Sequence, residues 1–371
     1  MNSLAWLFIN LQAIGNNVKQ ILKMIGPSVS LMAVVKSNAY GHGLIPICKK
    51  VLEKGAKWLG VFSLEEALKI REAKITSPIL ILGFTEKENL KKIIAKDISL
   101  TLYDIETAKE LSILAKKLSK KAKVHLKIDT GMHRLGILSD NILNFVRKIE
   151  NLKNLQIEGI FSHFADATNK EYSLWQLEKF KKVLALLKQN GISPPFVHMA
   201  NSAATLTIPA ARFNLIRCGL AIYGLSPLLP NSKPALSFKA KIIQVKDLKK
   251  GDYVGYQRTY KAKRAMKIAI LGVGYADGFD RGLSNMGEVL VKGIRCPVIG
   301  RICMNQTIID VSKLSEIRTK RDRLKVGDVV TLIGKDGDDK ITVDELAKKL
   351  NTIPHEVVSR IPENLPRIFK D

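Results

Sequence analysis

The residue types able to do chemistry in this chain fall at the ends of short apolar runs. "MAVVK" carries four apolar residues, Met32 to Val35, to the amine of Lys36, and Tyr40 follows in the small, glycine-rich "SNAYGHG". "LKIDTGMHRLG" supplies Lys127, Asp129 and Arg134, "EGIFSH" ends in His163, Asn201 and Ser202 follow "FVHMA", and "NLIRCG" delivers Arg217 and Gly219. Taken singly these residues say little. A lysine at the end of a buried run ordinarily snorkels into water, and one histidine is more often a satisfied core residue than a reagent. Their shared position at run ends is what points to function. An amine, an imidazole, two guanidinium groups and small hydrogen-bonding residues suit a phosphorylated carbonyl cofactor held by the lysine, a description that pyridoxal phosphate fits. No pair of free carboxylates points to glycoside chemistry, and no cluster of ligand spacing points to a metal.

Those run ends need a scaffold that brings them together. Candidate strands at 31–35, 58–62, 79–82, 98–102, 123–128, 156–161, 196–199 and 213–217 alternate with amphipathic helical stretches. Helix starts are marked by "SLEE" (Ser63 to Glu66), a capping box, and by Asp104, while Gly55 and Gly191 fall where helices should stop. The strands are continuous Val/Ile/Leu-rich runs, as parallel strands covered on both faces are. Eight alternations over about 200 residues predict an α/β fold, a (β/α)8 TIM-type barrel, whose catalytic groups belong at the C-terminal ends of its strands. From about residue 235 the pattern turns to short alternating segments broken by Gly and Asp-Gly, predicting a mainly β C-terminal domain. The Pro-rich "LSPLLPNSKPAL" (Leu225 to Leu236) reads as the linker, giving domains 1–228 and 229–371. "GVGYADG" resembles a dinucleotide loop but has Asp277 at its last glycine position and no helix after it.

At 371 residues and 46% hydrophobic content the chain can bury sizeable cores. Its net charge of +26, from 60 Lys+Arg against 34 Asp+Glu, raises the question of a nucleic-acid partner. The lysines are spread over amphipathic helices such as "QLEKFKKVLALLKQ" rather than gathered in one arm, so solvated helix faces, and no nucleic acid, are expected. Cys48, Cys218, Cys296 and Cys303 show no CxxC spacing, which suggests thiols in a reducing compartment rather than zinc. No apolar run reaches membrane-span length and the N-terminus lacks a signal-peptide pattern, so a cytoplasmic location without membrane association is expected.

In order along the chain, "AVVKSNAYGHG", "KIDTGMHRLG", "SHFA", "HMANSAA", "RCGLAIYGL", "GYADG" and "GRICMNQ" closely resemble the motifs of alanine racemases, over essentially the whole length. That resemblance implies a homodimer in which each barrel site is completed by the partner's C-terminal domain, interconverting L- and D-alanine and supplying D-alanine for peptidoglycan. It makes Lys36 the residue that attaches pyridoxal phosphate and the base on the D side, and Tyr256, in "DYVGYQRTY", the base on the L side. A phenol is ordinarily too weak an acid for this near neutrality, so positive charge must favour its anion; a chain of Tyr256, His163 and Arg217 is implied. Arg217 also faces the cofactor ring nitrogen, with His163 and Asn201 among the cofactor-binding residues. Tyr40, Ser202 and the amides of Gly219 and Leu220 hold the phosphate. Arg134 and Met304 receive the substrate carboxylate, and Lys127 matches a lysine often carbamylated in the family.

Two departures stand out. Asn305 occupies a position commonly held by Asp, and "RIPENLPRIF" has Glu363 near the place of a tyrosine that some members use by the phosphate. The nearest alternative is a related racemase of the same fold acting on serine, because a pocket for a methyl group discriminates poorly against an added hydroxyl.

Overall fold

A computed structural model describes residues 3–317 and 324–371. The chain divides into two compact units, one of Ala13–Ala39 with Leu44–Lys233, the other of the described part of Met1–Gln12 with Tyr40–Gly43 and Pro234–Asp371. The change of unit at Lys233/Pro234 falls inside the Pro-rich segment. The first strand, β1 (Ala5–Asn10), belongs to the second unit.

The first unit is built on eight parallel strands: β2 (Ser30–Val34), β3 (Trp58–Val61), β4 (Ile79–Ile81), β5 (Ser99–Leu102), β6 (Ala122–Asp129), β8 (Leu155–Phe161), β9 (Phe196–His198) and β10 (Leu215–Cys218). A two-residue strand, β7 (Ile137–Leu138), pairs with the end of β6. The order is β10-β2-β3-β4-β5-β6-β8-β9. Between the two ends of that row, the Arg217 N–H donates to the Ala200 carbonyl at 3.0 Å. Asn214 ties the same edge, its amide donating to the Pro195 carbonyl at 2.7 Å and its Oδ1 accepting the Val197 N–H at 2.8 Å. The strands thus form a nearly closed barrel. β3, β4 and β5 are buried at every residue, because the barrel interior lies on one side and helices on the other. Ser63 and Glu66 form the capping box of helix Leu64–Glu72, and Asp104 accepts the Thr107 N–H at 2.7 Å to start helix Ile105–Lys117. Inside the barrel Met32, Trp58, Leu80 and Leu215 pack together, and the Trp58 ring meets His125 and Phe196 edge-on at 5.2 and 5.1 Å.

The second unit centres on a long strand, β11 (Leu236–Leu248), which runs antiparallel to β1. A hairpin of β12 (Tyr253–Val254) and β13 (Tyr260–Lys261) precedes β14 (Met266–Leu271), which also pairs with β11. β15 (Glu288–Val291), β16 (Ile294–Pro297), β17 (Thr307–Asp310), β18 (Val329–Asp336), β19 (Asp339–Ile341) and β20 (Arg367–Lys370) complete it, with β20 parallel to β1. Lys292 and Gly293, both at positive φ, make the tight turn between β15 and β16. From β16, Arg295 reaches Asp339 at 2.7 Å, Glu345 at 2.8 Å and Glu288 at 3.2 Å; several partners on one guanidinium make a network that outweighs an isolated surface pair. Among the described residues no helix is long and apolar enough to cross a membrane.

Candidate active site

Arg217, on β10, is the centre of the site in the barrel. Its side chain is buried, and its Nη2 donates to the Ser162 carbonyl at 2.7 Å, the Met199 carbonyl at 3.0 Å and His163 Nδ1 at 3.0 Å. Its Nη1 donates to His198 Nδ1 at 2.6 Å. A guanidinium has no acceptor, so both imidazoles turn a bare Nδ1 toward it and carry their proton on Nε2. Burial lowers the Arg217 guanidinium to about 9, which leaves it charged at neutral pH. The loop carrying His163 is held by the buried Gln176, whose amide donates to the His163 carbonyl at 3.3 Å and whose oxygen accepts the Ala165 N–H at 3.0 Å.

Lys36 sits at the end of β2, its Nζ 5.9 Å from the centroid of the Phe62 ring. Behind it the chain makes a turn of left-handed helix: Ser37, Asn38, Ala39 and Tyr40 have φ of 55°, 51°, 54° and 53°. Non-glycine residues resist this conformation by on the order of 1–2 kcal/mol each, so the surroundings must hold it. The Ala39 N–H donates to the Val35 carbonyl at 2.9 Å, Asn38 Oδ1 accepts the Leu44 N–H at 2.7 Å, and the Asn38 N–H donates to Glu66 at 3.3 Å. The capping glutamate of the "SLEE" box therefore also supports the turn after Lys36. Such strain gathers at functional sites.

The site carries more positive than negative charge. Burial lowers the Lys36 ammonium, Arg134 lowers it further, and Glu66 opposes the shift. Lys127, on β6 with its Nζ 5.4 Å from the Phe161 ring centroid, is lowered to about 8 by burial and then by Arg134, Arg217 and Lys36, against Asp129. Burial, followed by Arg217, Arg134, Lys127 and Lys36, holds His163 well below the usual imidazole range. Asp129 does not offset this from a reactive position. Its Oδ1 accepts the N–H groups of Gly131, Met132 and His133 at 2.9, 3.0 and 3.1 Å, so it shapes the loop that presents Arg134.

Asn201 caps the short helix Ser202–Thr207, its Oδ1 accepting the Ala204 N–H at 3.0 Å. The Ser202 Oγ accepts the N–H groups of Gly219 at 3.1 Å and Ala221 at 3.3 Å. With its lone pairs engaged, the hydroxyl can only donate, which suits an anion beside the Gly219–Leu220 turn.

The remaining expected residues lie in the second unit. The Tyr40 ring is 5.8 Å from that of His355, and Gly41 fits because a Cβ there would lie 2.3 Å from the Val358 carbonyl. Tyr256 is 69% exposed, between β12 and β13, where Gly255, Gln257 and Arg258 all have positive φ. Met304 is 57% exposed and packs its loop on "GYADG": the Tyr275 N–H donates to the Cys303 carbonyl at 3.1 Å and the Ala276 N–H to the Met304 carbonyl at 2.9 Å. Gly274 is required there, since a Cβ would come within 2.2 Å of the Cys303 oxygen.

Comparison with known proteins decides the family. The model of the alanine racemase N-terminal domain matches residues 9–227, and that of the C-terminal domain residues 235–369. Alanine racemase from Methanococcus maripaludis is 43% identical over 373 residues, 98% of each chain. The chain belongs to the alanine racemase family. The crystal structure of alanine racemase from Bacillus anthracis with bound L-Ala-P superposes with a TM-score of 0.93 at 38% identity, covering 100% of this chain and 96% of that one. A histidine racemase from Leuconostoc mesenteroides also shares the fold, with a TM-score of 0.89 at 27% identity over 100% and 99% of the two chains.

Against the alanine racemase pattern, Asn305 has a local partner. Its amide donates to Asp277 Oδ2 at 3.3 Å, and the same oxygen accepts the Gly274 N–H at 2.9 Å; a second carboxylate at 305 would face Asp277 with like charge. The C-terminal segment is gathered by Arg367, which donates to the carbonyls of Gly41 at 2.9 Å and Glu363 at 2.9 Å. Sequence reasoning passed over His125, His198, Glu158 and Gln176. The even spacing of His125 and Lys127 along one strand face was the available signal for the first of these.

Buried imidazoles make the barrel acid-sensitive. His125, His163 and His198 are all lowered, chiefly by burial, so the unfolded chain binds protons that the folded one refuses. Stability is expected to fall as pH drops below about 6.5, by up to roughly 1.4 kcal/mol per pH unit for each ring. Chemical denaturation at pH 7.5 and 5.5 measures this; equal stabilities would contradict it.

Proposed function

We propose that this chain is a pyridoxal-phosphate-dependent alanine racemase that interconverts L- and D-alanine, with each active site shared between two copies of a homodimer. The observation that carries the reading is the excess of positive over negative charge around a lysine at a barrel strand end. Burial and then Arg134 disfavour the charged form of Lys36, and burial followed by Arg217, Arg134, Lys127 and Lys36 keeps His163 neutral. Such a site favours an anionic ligand and a lysine that can act as a free amine. The donor set fits pyridoxal phosphate and an amino acid carboxylate together.

In this reading Lys36 holds the cofactor, Arg217 faces its ring nitrogen with His163 and Asn201 nearby, and Ser202, Tyr40 and the Gly219 and Leu220 amides hold its phosphate. When bound, the cofactor supplies the conjugated electron-withdrawing system that acidifies the substrate α-hydrogen. The chain's own residues then do the proton work. Lys36 removes or returns a proton on the D face, and Tyr256 of a second copy does so on the L face. With His163 Nδ1 occupied by Arg217, the Nε2–H is the group left to stabilise a tyrosine anion. The Arg217 guanidinium holds its protons more tightly than a pyridine nitrogen would, so it would leave the cofactor ring nitrogen unprotonated, and the weaker electron sink would disfavour transamination. Arg134 and the Met304 amide receive the carboxylate, the former through charge-assisted hydrogen bonds. The two relatives at 43% and 38% identity are both alanine racemases, which supports alanine over serine. We further propose a cytoplasmic role in supplying D-alanine for peptidoglycan.

Lys127 is proposed to be carbamylated. An amine lowered to about 8 has an appreciable neutral fraction near neutral pH, and the neutral amine is the form that captures carbon dioxide. The anion so made would face Arg134. With 13C-labelled bicarbonate, a carbamate resonance is expected that disappears in Lys127→Ala; its absence from the unsubstituted protein would refute the modification.

The activity is tested by incubating the full chain with pyridoxal phosphate and L-alanine in heavy water and resolving the enantiomers. D-alanine labelled at Cα is expected, with borohydride fixing the cofactor to Lys36 and Lys36→Ala failing to retain it. Tyr256→Ala should lose exchange from L-alanine more severely than from D-alanine. No cofactor uptake would end the racemase reading, and equal losses from both enantiomers would refute the facial assignment.

A further inference from the structure

Arg217 is a buried cation without an adjacent carboxylate. Among the described residues its hydrogen-bond partners are two imidazole nitrogens and the carbonyls of Ser162, Met199 and, through its backbone, Ala200. A buried charge left without an opposite charge is costly, so the route to a counter-charge matters. One leads away from the barrel mouth. His198 turns Nδ1 to Arg217, and its Nε2 lies 2.8 Å from His125 Nδ1. Since Arg217 only donates, His198 carries its proton on Nε2 and must donate it to His125. His125 Nδ1 is therefore bare, and its proton sits on Nε2. That nitrogen is 3.5 Å from Glu158 Oε2, beyond a formed hydrogen bond, and it has no hydrogen-bond partner among the described residues, so the carboxylate is the one anionic group it faces. The Ser99 hydroxyl donates to the same carboxylate oxygen at 2.5 Å.

We propose that His198, His125 and Glu158 form a one-way row, a hydrogen bond between the two rings followed by an imidazole N–H that faces a carboxylate at 3.5 Å, which gives the Arg217 guanidinium a remote counter-charge. Every N–H in the row points from the cation toward the anion, so the dipoles reinforce one another. Reversing one ring would set two donors or two lone pairs face to face. The row has room only because β8 carries glycine next to Glu158: a Cβ on Gly159 would lie 2.3 Å from His125 Nδ1. The charges match the order. Burial opposes ionisation of Glu158, but the neighbouring His125, the hydrogen bond from Ser99 and the nearby Lys123 hold it below the usual carboxylate range. Both rings are held neutral, by burial first and by Arg217. Glu158, His125 and His198 are positioning residues; the consequence for catalysis rests on the racemase reading, whereas the row itself does not.

Nitrogen-15 NMR of the histidines in the full chain, with no cofactor added, reads the tautomers directly. A bare Nδ1 and protonated Nε2 are expected on both His125 and His198; a protonated Nδ1 on either ring would overturn the row. Glu158→Leu removes the carboxylate that the His125 Nε2–H faces and is expected to shift that N–H signal while both tautomers stay, whereas Glu158→Gln retains an accepting oxygen and gives a smaller shift. Unchanged spectra in Glu158→Leu would overturn the role of Glu158. With pyridoxal phosphate added, kcat for alanine should fall on the order of tenfold in Glu158→Leu, as for other partners that orient a site residue, with little change in KM and a smaller loss in Glu158→Gln. Equal losses in the two variants would overturn the row in favour of simple packing. Wild-type protein that takes up no cofactor would sink the racemase reading alone, since the tautomers are read without it.

Discussion

The hydrogens of one buried guanidinium set much of this site. Arg217 cannot accept a hydrogen bond, so each imidazole beside it must present a lone pair. On the mouth side that fixes His163 with its Nε2–H turned away from the arginine. On the interior side it fixes His198 and, through it, His125. Carbonyls of Ser162 and Met199 complete the cage, drawing the ends of β8 and β9 onto the β10 side chain. The same residue bridges β9 and β10 through its backbone. Barrel closure and site polarity thus meet at one position.

Burial, and after it the excess of cations in the site, then acts on the groups near Arg217. Lys36 and Lys127 are pushed toward their neutral amines and His163 away from its cation. Such a field is costly in an isolated protein and becomes favourable when anionic groups enter it. The left-handed turn after Lys36 is a second feature maintained against local preference, supported by Glu66, Asn38 and Val35. Strain and charge concentrate at the same mouth, as they do where a scaffold is organised around a ligand.

Much of this was legible in the sequence because it is local. The "SLEE" box, the Asp104 cap and the Val/Ile/Leu runs each follow from a few neighbouring residues, and they appear as expected. The motifs around Lys36, His163 and Arg217 were legible for the same reason. What escaped depends on distance along the chain. β1 pairs with β11, more than 200 residues away, and no local pattern names that partner. His125 and His198 meet across 73 residues of sequence, so neither signals the other. The left-handed turn is hidden because Ser, Asn, Ala and Tyr carry no glycine signal; tertiary support imposes the conformation. Asp129 looked reactive by position, yet three backbone N–H groups occupy it.

The central claim is that the barrel supplies Lys36 and a second copy supplies Tyr256. Complementation tests it most directly: purified Lys36→Ala and Tyr256→Ala, each inactive, are unfolded, mixed in equal amounts and refolded. Random pairing makes half of the dimers mixed, each with one intact site, so about a quarter of wild-type racemase activity is predicted. If both residues served the same site from one chain, mixed dimers would hold two damaged sites, and no recovery of activity would contradict the account.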